Sequence, residues 1–128
     1  MPPPPDDVLR KNPLFRRVGP PDRARIAEVS RLRQFARGEL IFAEGDPPDA
    51  FLTIVEGRVK VFKATPAGKE IILEIFGAGD PLGAVAVYEN VPLPASAVAL
   101  EPTECLSIAQ RDFFQLLERH PPLVRGLL

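Results

Sequence analysis

Residues 38–64 have the sequence GELIFAEGDPPDAFLTIVEGRVKVFKA, in which short apolar runs alternate with glycine and proline. Several of the runs contain β-branched residues, and their apolar positions recur with a period of two, as in strands that bury one face. Gly38, Gly45 and Gly57 stand between the runs, and glycine accepts the positive φ that tight turns require. This stretch therefore predicts a series of strands joined by tight turns.

The same pattern continues toward the C-terminus as far as Ile108. Pro66-Ala67-Gly68 is a hairpin signal between two of the runs, and Glu56-Gly57 is another. Many short strands without long intervening helices predict a mainly β protein, an antiparallel jelly-roll-like β-roll. The predicted strand runs are LIF (40–42), AFLTIV (50–55), RVKVFKA (58–64), EIILEIF (70–76), ASAVAL (95–100) and CLSI (105–108).

Helical spacing flanks the predicted strands on both sides. Asp22 follows two prolines and is predicted to be the N-cap of a short helix over about residues 22–30. A second helix is predicted to begin near Asp112 and to end at His120, before Pro121-Pro122. Its apolar positions, at helical spacing, are Phe113, Phe114, Leu116 and Leu117.

Composition excludes several classes of protein. The apolar runs are far shorter than the about 18–20 residues of a membrane-spanning helix, and the N-terminus lacks the apolar core of a secretory signal. A single cysteine cannot form an internal disulfide, so a cytoplasmic protein without a membrane partner is expected. One histidine and one cysteine are too few for zinc or iron–sulfur sites. Because no nucleophile–base pair or phosphate loop is evident either, neither a metal site nor catalytic residues are expected.

The charge of the 128 residues is divided unevenly, although the formal net charge is only −1. Residues 1–38 hold nine basic and four acidic side chains, whereas residues 39–128 hold seven basic and thirteen acidic ones. No global basic field exists to hold a nucleic acid backbone. The basic first third is interpreted either as a solvated helix face or as a surface for an acidic partner.

The order of elements resembles that of the cyclic-nucleotide-binding domain, and more closely the sensor domain of the catabolite-activator and fumarate-nitrate-regulator (Crp/Fnr) family of transcription factors. GELIFAEGD at residues 38–46 is similar to the family's first signature, which residues 49–61 continue. Residues 79–83 enter, and residues 95–99 leave, the segment that corresponds to the family's phosphate-binding cassette. The resemblance covers about residues 14–128.

The cassette of nucleotide-binding members carries two charged anchors, a Glu for the ribose 2′-hydroxyl and an Arg for the cyclic phosphate. By the resemblance, Ala84 stands at the Glu position, and Ala95, just before Ser96-Ala97, stands at the Arg position. No Lys or Arg occurs between Lys69 and Arg111. The cassette is therefore interpreted as degenerate. The effector-binding residues that the resemblance implies are Gly83, Ala84, Val85, Ala86, Ala95, Ser96 and Ala97.

The identity of the effector stays open. The apolar cassette is compatible with a pocket filled by its own side chains, a different small effector, an apolar or planar ligand such as haem, or weak binding of a cyclic nucleotide. Haem is less favoured because only Cys105, His120 and Met1 offer conventional axial ligands. Cys105 is interpreted instead as a buried structural thiol, His120 as a cation at a helix C-terminus, and Tyr88 as part of the core.

The resemblance implies an effector-sensing regulatory domain of a Crp/Fnr-type transcriptional regulator. Residues 1–13 are predicted to be a mobile proline-rich arm, residues 14–120 the sensor domain, and residues 121–128 the start of a truncated dimerisation helix. The full-length protein is then expected to be a homodimer that contacts DNA only through a domain absent from these 128 residues. The alternative is a stand-alone protein-interaction module without a small-molecule effector.

Overall fold

The structure is a computed structural model that describes residues 9–12, 15–16 and 18–122. In this part of the chain a short helix precedes the strands, a second helix interrupts them and a third follows them. The helices are α1 (Pro20–Val29), α2 (Ala84–Glu89) and α3 (Gln110–Arg119). The strands are β1 (Ser30–Phe35), β2 (Leu40–Phe42), β3 (Ala50–Glu56), β4 (Val59–Ala64), β5 (Glu70–Phe76), β6 (Pro81–Leu82), β7 (Ser96–Ala99) and β8 (Thr103–Ala109).

The strands form two four-stranded sheets, with the orders β1-β8-β3-β6 and β2-β7-β4-β5. Every pairing in both sheets is antiparallel. Strands that are consecutive in sequence belong to different sheets, except for β4 and β5, which are neighbours in the second sheet. This alternation is expected when a roll folds one sheet over the other. The predicted mainly β, antiparallel roll is confirmed.

Two hydrophobic clusters lie on opposite faces of the first sheet, because β3 and β8 are buried on both sides. The helix-side cluster joins these strands to the helices, and Phe51 stacks on Phe113 there with the ring centroids 4.9 Å apart. Its buried members are Leu9, Phe15, Val18, Ile26, Phe51, Val55, Val87, Leu106, Ile108, Phe113, Leu116 and Leu117. The inter-sheet cluster consists of Phe35, Ile41, Leu52, Ile54, Val59, Leu82, Ala97, Ala99 and Cys105.

The prediction of Asp22 as a helix N-cap is wrong. Helix α1 begins at Pro20, with Gly19 in the N-cap position in an extended conformation and no side-chain capping bond. Proline is tolerated in the first turn because the N–H that it lacks would have no partner within the helix. Asp22 therefore lies in the first helical turn, where its negative charge interacts favourably with the helix dipole.

Two strands were not among the predicted runs. Strand β1 has the polar sequence SRLRQF and lies at a sheet edge, where three of its six residues remain exposed. Strand β6 has only two residues, Pro81 and Leu82, and pairs with β3 alone. Both are too polar or too short to give the alternating apolar pattern that indicates a strand.

The predicted terminal segments are described only in part. Residues 1–8 and 13 of the predicted arm lie outside the described residues, as do residues 123–128 of the predicted dimerisation helix. Leu9 and Asn12 are completely buried, and the Asn12 side-chain amide donates a 2.8 Å hydrogen bond to the Thr53 hydroxyl on β3. Within the described residues, no helix has the length and apolar character needed to cross a membrane.

The β3–β4 turn depends on glycine at position 57. Gly57 has a φ of +110°, and a Cβ atom added there would lie 2.7 Å from the Thr103 Cα on β8. We expect Gly57→Ala to lower the free energy of unfolding by at least about 2 kcal/mol, since it combines backbone strain with a clash against the neighbouring strand. Urea denaturation measures this change.

The matched control is Gly68→Ala, at a φ of +83° with no atom within 4 Å of the added Cβ. This variant carries the backbone strain without the clash, so we expect a loss of only about 1 kcal/mol. Equal losses in the two variants would show that the close approach of Thr103 to the turn is not what requires glycine.

Candidate effector site

Helix α2 is a short segment closed at both ends by residues in the left-handed conformation. Gly83 precedes it at φ 73° and ψ 14°, and Asn90 follows it at φ 55° and ψ 49°. The Gly83 carbonyl accepts a hydrogen bond from the Val87 N–H at 3.0 Å, and the Ala86 carbonyl accepts one from the Val91 N–H at 3.1 Å. Glycine suits the first of these positions because it has no Cβ to oppose a positive φ.

Leu93 lies beside Gly83 and is held there by its backbone. The Leu93 N–H donates to the Asp46 carbonyl at 2.9 Å, and its own carbonyl accepts from the Gly45 N–H at 2.8 Å. A Cβ atom placed on Gly83 would lie 3.4 Å from the Leu93 Cδ2. The loop that leaves the cassette is thus attached to the β2–β3 turn, and the leucine side chain lies beside the residue that enters α2.

The residues assigned to the cassette from the sequence lie in two groups. Gly83 to Ala86 surround the start of α2, where Ala84 packs against the helix-side cluster and Ala86 is buried. Val85, by contrast, is 47% exposed. Ala95 is only 4% exposed and Ala97 is fully buried in the inter-sheet cluster. Most of these methyl groups therefore contribute to packing.

Ser96, the polar side chain of this set, already has a backbone partner. Its hydroxyl oxygen accepts a 2.8 Å hydrogen bond from the Glu44 N–H in the β2–β3 turn. Tyr88 packs partly buried against the helix-side cluster, in agreement with its interpretation as part of the core. The side chains of the seven residues assigned from the sequence thus provide neither a cation for a phosphate nor a carboxylate for a ribose hydroxyl.

Gln110 connects the cassette to the C-terminal helix, a role that sequence analysis missed. Its side-chain amide, at the first residue of α3, donates to the Val87 carbonyl at 3.2 Å and to the Asn90 Oδ1 at 3.0 Å. Its backbone N–H donates to the Asp49 carbonyl at 2.9 Å. No local pattern indicates these contacts, because their partners are 20 or more residues away in the chain.

The two conventional haem ligands among the described residues are engaged elsewhere. Cys105 is fully buried, and this burial raises the pKa of its thiol to about 12, with Arg33 opposing the shift and Glu104 adding to it. The thiol therefore stays protonated at neutral pH, as expected of a structural cysteine. The His120 Nε2, at the end of α3, lies 3.4 Å from the Asp22 Oδ2 on α1. Met1 lies outside the described residues.

The family model described as "Cyclic nucleotide-binding domain" matches residues 32–120. This range contains all eight strands except the first residues of β1, as well as α2, α3 and the loop that carries Leu93. The chain therefore belongs to the cyclic nucleotide-binding domain family. Its antiparallel roll, with a short helix between β6 and β7, agrees with this.

Several relatives are transcriptional regulators. The chain is 28% identical over 123 residues to a CRP-like cAMP-activated global transcriptional regulator of Mycobacterium tuberculosis, covering 96% of this chain and 55% of the relative. The sensor domain of the transcriptional regulator DNR from Pseudomonas aeruginosa has a TM-score of 0.84 and 26% identity, covering 95% of this chain and 82% of that structure.

A third match is the Thermus thermophilus catabolite activator protein, with a TM-score of 0.81 and 29% identity. That match covers 91% of this chain and 55% of the solved structure. The chain thus spans about half the length of the full regulators that it matches. The solved structure that it covers to 82% is the sensor domain of a transcriptional regulator.

The contact between Gln110 and the cassette helix can be tested by removing its amide. We expect Gln110→Ala to lower the free energy of unfolding by about 1–2 kcal/mol, since two hydrogen-bond acceptors at the end of α2 lose their donor. We also expect faster amide hydrogen exchange across residues 87–93. Gln115→Ala, at an exposed position of α3, is the control. Equal exchange in both variants would contradict the proposed connection.

Proposed function

We propose that residues 14–120 form the effector-sensing regulatory domain of a Crp/Fnr-type transcriptional regulator whose cassette lacks the family's charged anchors. The observation that supports this most strongly is the apolar cassette itself. Ala84 and Ala95 stand at the anchor positions as packed methyl groups, and Leu93 lies against Gly83. The domain would respond to a cue other than tight binding of a cyclic nucleotide.

The binding free energy lost with the missing anchors is large enough to prevent tight binding of a cyclic nucleotide. A hydrogen bond to a charged group contributes roughly 1.5–3 kcal/mol. Two such contacts amount to about 3–6 kcal/mol, or a loss of roughly 10²–10⁴ in affinity. A micromolar cyclic-nucleotide site would become a millimolar one. In the segment between Lys69 and Arg111 no basic side chain replaces the arginine.

The contacts around α2 suggest how a change in the cassette would reach the rest of the protein. Gln110 binds the end of α2 with its side chain and begins α3 with its backbone. A shift of α2 would therefore move the start of α3, and with it the chain that follows. In the whole protein we expect this chain to lead into a dimerisation helix beginning at residues 121–128.

The remaining features of the proposal follow from the relatives' regulatory role. We propose that the whole protein is a cytoplasmic homodimer and that it contacts DNA through a domain outside these 128 residues. We assign no catalytic residues, because the sequence shows no nucleophile–base pair and the relatives include transcriptional regulators and kinase regulatory subunits. The domain would act only by changing conformation or by binding partners.

A second candidate function, a protein-interaction module without an effector, is favoured by strand β5. This strand lies at one edge of its sheet, and four of its apolar side chains are about half exposed. They are Ile71, Ile72, Leu73 and Ile75. An exposed apolar edge is uncommon in proteins that act alone.

Calorimetry with cyclic AMP tests the proposed cassette. We expect no binding by the natural sequence at micromolar concentrations of ligand. The double variant Ala84→Glu, Ala95→Arg restores both charged groups, and we expect it to bind at least about tenfold more tightly than the natural sequence, less the strain of enlarging the buried Ala95.

The matched control combines Val85→Glu with Ala95→Arg, because the exposed Val85 places the carboxylate one residue further along α2. This control should gain less affinity than the double variant. Micromolar binding by the natural sequence would contradict the proposal, since it would require a phosphate partner outside the cassette. A folded double variant without any gain would show that these two positions are not the anchors.

A further inference from the structure

A cavity of about 220 Å³ opens between the two sheets, beside the β2–β3 turn. Its apolar lining includes three buried side chains, Ile41 of β2, Leu52 of β3 and Leu93 of the loop after α2. Its polar lining consists of Arg33, Asp46 and Asp49. The volume is several times the about 30 Å³ share of one water molecule, so the cavity has room for a small organic molecule.

Arg33 is placed on the interior side of its sheet. It lies opposite Cys105 in the β1–β8 register, and directly opposite residues of an antiparallel pair share one face. Cys105 belongs to the inter-sheet cluster, so the half-buried Arg33 side chain also starts on that face. Its guanidinium carbon lies 5.1 Å from the centre of the Phe35 ring.

The guanidinium of Arg33 has no anionic partner within the described residues. None of their carboxylates lies within the 4.0 Å of an ion pair with it. A half-buried cation is costly when no anion balances it, and the planar guanidinium matches the geometry of a carboxylate. Arg33 is therefore suited to receive the carboxylate of a ligand.

The two aspartates of the cavity supply the opposite charge. The Asp46 Oδ2 accepts a 2.9 Å hydrogen bond from the Ala43 N–H, which leaves the second oxygen of that carboxylate for a ligand. Asp49 is exposed. Because both carboxylates line the same cavity as Arg33 without forming an ion pair with it, a ligand that carries both charges fits between them.

We propose that this cavity binds a free α-amino acid with an aliphatic side chain. The carboxylate of the ligand pairs with Arg33, its ammonium group with the aspartates, and its side chain with the apolar lining. Small-molecule sites commonly combine an apolar surface with a few polar groups that fix orientation. The ligand class follows from this combination of one cation, two anions and an aliphatic wall.

Leu93 connects the cavity with the cassette. The same side chain lines the cavity and lies beside Gly83 at the start of α2. A ligand in the cavity would therefore contact the residue that lies beside Gly83. This response through α2 rests on the proposed sensor function, whereas the binding of the amino acid does not.

Calorimetry with L-leucine tests the site on the full chain. We expect saturable binding at millimolar concentrations or below, and we expect Arg33→Gln to weaken it at least about tenfold through loss of a charged contact. The control is Arg31→Gln, an exposed arginine on the same strand, which should leave the affinity unchanged. Arg33→Lys keeps the charge and should fall between the two, while thermal unfolding checks that each variant is folded.

Two analogues separate the contributions of the charges. We expect 4-methylpentanoate, which lacks the ammonium group, and 3-methylbutylamine, which lacks the carboxylate, each to bind at least about tenfold more weakly than L-leucine. Equal binding of either analogue would overturn the assignment, as would unchanged binding by a folded Arg33→Gln variant or the absence of any binding. These results are independent of the cyclic AMP titration, so the failure of this site is distinguishable from that of the proposed cassette.

Discussion

Strands β3 and β8 are buried on both faces at the centre of their sheet, and the other layers of the domain take their positions from this pair. Phe51 and Leu106 face the helices, whereas Leu52 and Cys105 face the second sheet. Because side chains alternate along a strand, a slip of one residue would exchange the two sets. The register of β3 with β8 therefore positions α2 on one side of the sheet and β7 on the other.

The position of the candidate site depends on this arrangement. Helix α2 rests on the helix-side cluster through Val87, while the loop that follows it is attached to the β2–β3 turn at Leu93. Gln110 then joins the end of α2 to α3. A short helix of six residues has little stability of its own, so its position depends on these three contacts. A ligand that shifts one of these three contacts would therefore change the position of α2 relative to α3.

The sequence predicted the elements whose burial leaves a local pattern. The run AFLTIV indicates β3 because both faces of that strand are buried, whereas the polar edge strand β1 has no such run. The assignment of Ala84 and Ala95 to the anchor positions rests on their spacing to Gly83 and Ser96 in the family resemblance, and it stays a prediction. The contacts of Leu93 and Gln110 join segments far apart in sequence, and no local periodicity encodes them. The half-exposed state of β5 could not be predicted either, because EIILEIF is equally typical of a buried strand.

The proposed cassette depends most on the packing of the Leu93 side chain beside Gly83 at the entry to α2. Nuclear Overhauser measurements on a sample with labelled leucine methyl groups test it most directly, because the Leu93 Cδ2 lies 3.4 Å from the position of a Cβ atom on Gly83. We expect cross-peaks between the Leu93 methyl protons and the Gly83 α-protons that persist when micromolar cyclic AMP is added. Absence of these cross-peaks in the free protein, or their loss at micromolar cyclic AMP, would contradict it.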